Sequence, residues 1–328
     1  KNTPVKEITK NVKSKIKKIV SNAVISDRPV GFCLSGGIDS TGLVSVAKKL
    51  LKKNIKCFTV YTDDKKYDEF EMVNKTIKYL NLNHKWIKIN KYKSLENIQK
   101  IIKHRNYPIL TVTSYIQWLM FKEISKEGIK VIISGNGSDE IFSGYYDHHL
   151  AYLNDVKKDR QLFIKSLKSW KKNIKPLIRN KDFKDYKNYK IKKIQIIKGK
   201  NLSTHFGNRK VIFPFTEKKF TNSYLKNRMI NEMFYESVPV ILQEEDVNSM
   251  QFSIENRSPY LNSGLYKYII NLDEKRFIKN GFAKFILRKS LKNISPDHVL
   301  DNYEKIGFNI SPEKLINFQS KKVHSIFK

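Results

Sequence analysis

The stretch Val30-Gly31-Phe32-Cys33-Leu34-Ser35-Gly36-Gly37-Ile38-Asp39-Ser40 limits what this chain can fold into more than any other. It starts as an apolar strand and ends as a turn of small residues. Thr41 to Leu51 then reads as a helix, because Leu43, Val46, Ala47 and Leu50 share one face. Gly36 and Gly37 have no Cβ and can turn sharply with their backbone N–H groups exposed. Those groups, at the positive end of a helix, suit an anion and above all a phosphate. Ser35, Ser40 and Thr41 add hydroxyl donors. Asp39 suits bare phosphate poorly, but it fits if a Mg²⁺ lies between its carboxylate and the phosphate oxygens. The plainer alternative is a strand-to-helix turn with a serine cap.

The run differs from the Gly-Lys-Ser/Thr ending of a nucleotide P-loop and from the GxGxxG fingerprint. It resembles the pyrophosphate-binding loop of the N-type ATP pyrophosphatases. That resemblance implies cleavage of ATP between its α and β phosphates. The rest of the chain reads as a soluble enzyme of a reducing compartment, the cytoplasm. No stretch approaches the ~20 apolar residues of a membrane span. Lys1 to Ile19 is basic, but its apolar residues fall at helical spacing and form no secretory signal. Cys33 and Cys57 both sit in strand-like runs and read as small buried residues, not as a disulfide or a metal site.

The net charge of +33 raises the question of a polyanionic partner. Of the 64 basic residues only nine are arginine and 55 are lysine. The lysines are scattered along the chain without the arginine and aromatic clustering of base recognition. The charge is therefore read as compositional, and a nucleic-acid partner is not expected.

In chain order, Val5–Ala23 reads as an amphipathic helix. The first strand starts at Val30, and others follow at Lys56–Tyr61, His84–Ile89 and Lys130–Ser134, with helices at 72–80, 94–103 and 114–127 between them. Gly128 caps the last of these helices. Strands alternating with helices at this spacing indicate an α/β fold, a parallel twisted sheet with helices on both faces. Such sheets bind ligands at the carboxyl ends of their strands. From residue 151 onward the chain reads as mainly helical, with helices expected at 224–249, 261–272 and 282–291 and only a short strand-like run at 210–213. The expected division is 1–150 and 151–328, with one continuous domain left open.

A second constellation is Ser134-Gly135-Asn136-Gly137-Ser138-Asp139-Glu140-Ile141-Phe142-Ser143-Gly144-Tyr145-Tyr146. Glycines flank a polar residue at a strand end, and an acidic pair then opens a helix. By itself this is an N-cap with acids complementing the dipole. Beside the first loop, Asp139 becomes a second carboxylate for one Mg²⁺.

With both stretches in view, the chain resembles the synthetase domain of asparagine synthetase and its relatives, including β-lactam synthetase. Leu34–Ser40, Tyr67-Asp68-Glu69, Ser134–Tyr145 and Asp246–Leu261 carry the resemblance. A weaker match is Leu287-Arg288 followed by Lys305-Ile306-Gly307-Phe308. The resemblance implies a fold like that of the adenine nucleotide α-hydrolases. It also implies that ATP lies with adenine near Leu34 and Val60 and with ribose and α-phosphate near Ser134 and Gly135. Ser35, Gly36, Gly37, Asp39 and Ser40 would hold the pyrophosphate, and Asp39 and Asp139 would bind Mg²⁺. Lys305, Asp139 and Glu140 are the implied catalytic residues, Lys305 stabilising developing charge. In the 246–261 stretch, Met250, Phe252, Ile254 and Tyr260 are expected to pack, and Glu255 and Arg257 to form a buried ion pair.

The implied activity is that of an ATP-dependent amide-forming ligase. A carboxylate is adenylated with release of pyrophosphate, and ammonia or another amine then displaces AMP. The expected partners are a small carboxylic acid (an amino acid or sugar acid), ammonia from a glutaminase domain or subunit outside this chain, and a second copy in a homodimer. A tRNA-modifying ATP pyrophosphatase and a non-catalytic nucleotide-binding relative are the alternatives. Two departures bear on the substrate. Asparagine synthetases carry a glutamate, able to take a proton from ammonia, where this chain has Asn136, so the acid, the amine or the deprotonating group differs. The arginine expected two positions before Lys305 is Tyr303.

Overall fold

Three largely apolar segments form strands β1 (Val30–Cys33), β2 (Lys56–Tyr61) and β4 (Val131–Ile133), and the more polar Asn83–Lys88 forms β3. The structure is a computed structural model that describes residues 3–62, 69–89, 94–109, 111–189, 195–197, 211–213, 215–305 and 315–325. Asp63, Asp64, Tyr67 and Asp68, and the Gly307-Phe308 pair, lie outside the described residues. All four strands are parallel and join a fifth, β7 (Glu255–Arg257), in the order β3-β2-β1-β4-β7. The expected parallel α/β sheet is therefore present. The chain moves outward from β1 to β2 and β3, then returns past β1 to β4. The strand order reverses between β1 and β4, which makes the carboxyl ends of these two strands the ligand-binding position of such a sheet.

Two compact units share the chain. The first comprises residues 1–138, 241–267 and 286–328, and the second comprises 139–240 and 268–285. The chain thus passes between units repeatedly, not once near residue 150. Helix α1 (Val5–Ala23) buries Ile8, Val12, Ile16, Ile19 and Val20, the face its spacing predicts. Helices α2 (Ile38–Ser45), α3 (Phe70–Leu80), α4 (Ser94–Arg105) and α5 (Val112–Ser125) connect the strands. The helix expected through Leu51 is α-helical only to Ser45 and continues as a π-turn over Val46–Leu50. The core of this unit packs Phe58, Ile87, Phe121, Ile124, Ile129, Ile132 and Ile254 together.

Strand β7 is absent from the sequence expectation. Its three residues are polar and too few to show alternation. Its Glu255–Arg257 pair is not buried: Arg257 Nε meets Glu255 Oε1 at 2.8 Å, with the Glu255 side chain 57% exposed. Met250 is exposed as well, whereas Ile254 and Tyr260 pack as expected. The helix expected over 224–249 divides into α9 (Tyr224–Phe234) and α10 (Ser237–Met250). Pro239 explains the break, since proline fits only the first turn of a helix.

The second unit contains α7 (Tyr146–Asp155), α8 (Arg160–Asn173), α9 and a two-stranded antiparallel sheet of β5 (Gln195–Ile197) and β6 (Val211–Phe213). Its centre is an ion cluster on Arg228, which is fully buried. Arg228 Nε lies 2.8 Å from Glu232 and 3.3 Å from Asp147, and Nη2 bonds Glu236. His148 Nε2 meets the other Glu232 oxygen at 2.6 Å. Asp147, His148 and Glu232 carry the ligand types of a metal site, but Arg228 already supplies the positive charge. Burial pushes the His148 pKa down, and the Glu232 carboxylate outweighs it, so the net shift is upward.

A raised folded-state pKa stabilises the protein fully below the unfolded value, near 6.5 for His. That contribution is lost as pH rises through the folded value. Urea midpoints measured at rising pH are expected to fall through this range, and the fall should flatten in His148→Gln.

Candidate active site

The first loop leaves β1 at Leu34, whose N–H donates to Phe58 O at 2.9 Å. Thr59 Oγ1 donates to Leu34 O at 2.7 Å, and His84 Nε2 lies 2.8 Å from that hydroxyl. Thr59 has spent its one proton, so His84 Nε2–H is the donor to it. Burial pushes the His84 pKa down to about 4. These bonds hold Leu34 against β2 beside Val60, the two residues expected to flank adenine.

From Leu34 the chain turns on its own hydroxyls. Ser40 Oγ accepts from Ser35 N at 2.9 Å and lies 2.9 Å from Ser35 Oγ. Gly37 N donates to Ser35 Oγ at 3.2 Å, and Thr41 Oγ1 donates to Ser35 O at 3.3 Å. The loop is thus folded back onto the start of α2, with Asp39 in the first turn. From behind, the fully buried Tyr260 donates its hydroxyl to Asp39 O at 3.2 Å.

The second loop leaves β4 at Ser134, whose N–H donates to Arg257 O at 2.9 Å and whose Oγ lies 3.3 Å from Ser258 Oγ. Gly135 meets the first loop. A Cβ added there would stand 2.9 Å from Ser40 N and 3.0 Å from Asp39 Cβ. Ser35, Gly36, Gly37, Asp39, Ser40, Ser134 and Gly135 are therefore brought together in the first unit, with Leu34 and Val60 alongside. Lys305 also belongs to this unit and is half-buried.

Asp139 and Glu140 belong to the second unit, in the short helix α6 (Ser138–Phe142). Lys284 Nζ lies 2.6 Å from Asp139 Oδ1. Gly144 makes room for this pair: a Cβ there would fall 1.8 Å from Asp139 Oδ1. A carboxylate is the ligand type a hard divalent ion takes, but at Asp139 Lys284 already supplies a positive charge, which a Mg²⁺ would have to share or displace. Glu140 is buried and accepts from Tyr145 Oη at 2.6 Å. Burial and neighbouring Asp139 push its pKa up.

Lys284 in the second unit and Glu245 in the first both escaped the sequence reading. On α10, Glu245 is buried and accepts hydrogen bonds from Asn136 Nδ2 and Asn256 Nδ2 on one oxygen, and from Gln117 Nε2 at 3.0 Å on the other. Burial pushes its pKa up to about 7, against the lowering effect of the two asparagines. Its neighbour Glu244 pairs instead with buried Arg105 at 3.0 Å. A signal was present: from Met229 to Asn256 the chain has no Lys, Arg or His, in a protein with 55 lysines.

Gly137 also holds the loop, at φ +83° with the virtual Cβ 2.1 Å from Leu261 Cδ2. Gly128 has φ +73° but open space around it. Gly128→Ala should cost only the left-handed backbone penalty, about 1–2 kcal/mol. Gly137→Ala should cost about 1–3 kcal/mol more through overpacking. Equal losses in chemical denaturation would contradict the packing seen at Leu261.

The Asparagine synthase family matches residues 11–324. Glutamine-hydrolyzing asparagine synthetase 1 of Bacillus subtilis (strain 168) is 28% identical over 93% of this chain and 50% of its own length. The amidase chyE of Penicillium rubens is 28% identical over 42% of this chain and 23% of its own length. The chain thus spans half or less of the length of these relatives. Among solved structures, an NH3-dependent NAD synthetase from Campylobacter jejuni is 22% identical over 44% of this chain and 62% of that chain. Its TM-score is 0.29, too low to bear on fold or function. The family match runs through both glycine loops and the 246–261 stretch, and the chain belongs to the asparagine synthase family.

Proposed function

We propose that this chain carries the synthetase half of an ATP-dependent amide-forming ligase, adenylating a small carboxylic acid and passing its acyl group to an amine. The observation that supports this best is the approach of Gly135 to Ser40 N. It puts two phosphate-suited loops side by side at the reversal of strand order.

On this reading the Ser35–Ser40 loop takes the pyrophosphate of ATP through backbone N–H groups and serine hydroxyls. Ser134 and Gly135 take the ribose and α-phosphate, and Leu34 and Val60 flank the adenine. A carboxylate oxygen of the substrate attacks the α-phosphorus. The bond to the bridging oxygen breaks, and pyrophosphate leaves with its electron pair. Asp39 and Asp139 are the carboxylates that would hold Mg²⁺, which neutralises phosphate charge when bound. Lys305 and Glu140 keep the catalytic assignment that the resemblance implies, with charge stabilisation as the role of Lys305. Ammonia then comes from a glutaminase domain or subunit outside these residues. Cys33 and Cys57 are free thiols and suit a reducing compartment, the cytoplasm. Among the described residues no helix is long and apolar enough to cross a membrane.

The test is ATP–pyrophosphate exchange against a panel of amino acids and sugar acids. Exchange is expected with at least one acid, and Asp39→Ala should lower it by about a hundredfold or more. No exchange with any acid would leave only a nucleotide-binding relative. Unimpaired exchange in Asp39→Ala would remove Asp39 from the metal site.

A further inference from the structure

Lys305 ends an arm, residues 301–305, that forms neither helix nor strand. Such a segment has no hydrogen-bond ladder to fix where its last side chain stands. The chain leading into it is built differently. Two short helices, Phe285–Ser290 and Asp297–Leu300, precede the arm. Both are keyed onto elements next to the first glycine loop. Leu291, fully buried, follows the first of them and lies against Gly42 of α2, where a Cβ would stand 2.7 Å from Leu291 Cδ1. Gly42 sits about one helical turn after Asp39.

The second helix is held twice. His298 Nε2 lies 3.0 Å from Thr76 Oγ1 and 3.3 Å from Met72 O, both on α3. Thr76 gives its own proton to Met72 O at 3.1 Å, so His298 Nε2–H is the donor to the hydroxyl. Met72 in turn lies against the glycine loop: a Cβ on Gly36 would stand 3.0 Å from Met72 Cγ. At the end of the helix, Arg288 Nη1 donates to Leu300 O at 2.6 Å and to Val299 O at 3.2 Å. These are last-turn carbonyls, which a helix cannot satisfy by itself. Burial pushes the Arg288 pKa down to about 10, and Asp39, Asp301 and Tyr303 act the other way. One guanidinium thus has the phosphate loop, the end of the helix and the arm around it.

We propose that Arg288 and His298 are positioning residues for Lys305: together they clamp the helix Asp297–Leu300, and the clamp delivers the arm and its lysine to the phosphate loop. This deepens the amide-forming reading and rests on it. His298 sets the helix against α3, and Arg288 fixes the point where the arm begins. Neither has to touch the substrate. With its start released, an arm of this length reaches up to about 17 Å. A misplacement of about 1 Å at a charge-stabilising group already costs about a hundredfold in rate. Because α3 and α2 also pack on the glycine loop, the lysine keeps its register with the loop it serves.

The experiment uses the full chain with ATP, pyrophosphate and the acid that gives the fastest exchange. Arg288→Met removes both bonds to the helix end. Its maximal exchange rate is expected to fall about tenfold to a hundredfold, with KM for ATP within about twofold of the wild type. His298→Leu should lower the rate in the same way, and His298→Gln, whose amide can replace Nε2–H, should recover it. The main comparison is with Lys305→Met. The double variant Arg288→Met/Lys305→Met should be within about twofold of Lys305→Met alone, because a clamp that acts through Lys305 has nothing left to position. Losses that multiply would put Arg288 on the nucleotide itself and overturn the positioning role. Hydrogen exchange of segment 297–305 reads the clamp without substrate. Its amides should exchange about tenfold faster or more in Arg288→Met, the size of a lost charge-assisted hydrogen bond, and at the wild-type rate in Lys305→Met. Unchanged amides in Arg288→Met overturn the clamp even in a protein that adenylates nothing. If Arg288→Met does not fold, Arg288→Lys and His298→Leu are read by the same two criteria. A wild type without exchange sinks the amide-forming reading, and with it the task assigned to Lys305.

Discussion

Most of the first unit's site follows from one close approach, that of Gly135 to the backbone N–H of Ser40. No side chain fits between them, so the ends of β1 and β4 hold their two loops at van der Waals distance. The reversal of strand order makes β1 and β4 neighbours, and the glycine lets them meet. Tyr260 and the Thr59–His84 pair then brace the first loop from behind and from the side. The geometry is overdetermined by buried, uncharged hydrogen bonds, which vary little with salt or pH.

Charge is handled differently in the two units. In the second unit Arg228 gathers Glu232, Glu236 and Asp147 around itself, and His148 shares Glu232. In the first unit Glu244 and Glu245 sit side by side on α10, one matched by an arginine and the other by amides alone. Such neighbours test whether an acid is structural, because burial is similar for both and only the counter-charge differs. Glu244 follows the pattern of a stable core ion pair, and Glu245 does not.

The sheet was legible in the sequence because buried parallel strands read as apolar runs: Val30–Cys33, Lys56–Tyr61 and Val131–Ile133 needed no tertiary information. Both glycine loops were legible because turn residues followed those runs. Strand β7 was not, since Glu255-Asn256-Arg257 owes its extended form to β4 next to it and carries no pattern of its own. The Asn136–Glu245 contact joins residues 109 apart, and no local period reports a pairing at that range. Lys284 was hidden differently: among 55 lysines, a lysine buried against an aspartate looks like the rest. The expected buried Glu255–Arg257 pair failed for a related reason. Residues two apart on a strand face the same way, and this face is open to solvent.

The late arrival of β7 has a consequence for synthesis on the ribosome. Strand β4 ends at Ile133, and its outer partner begins only at Glu255. At about 5–20 residues per second, the outer edge of β4 stands unpaired for roughly ten seconds while the intervening segment is made. The nascent sheet must pass through that interval with an apolar edge strand uncovered, a period in which chaperone capture and mispairing with neighbouring chains compete with completion of the fold.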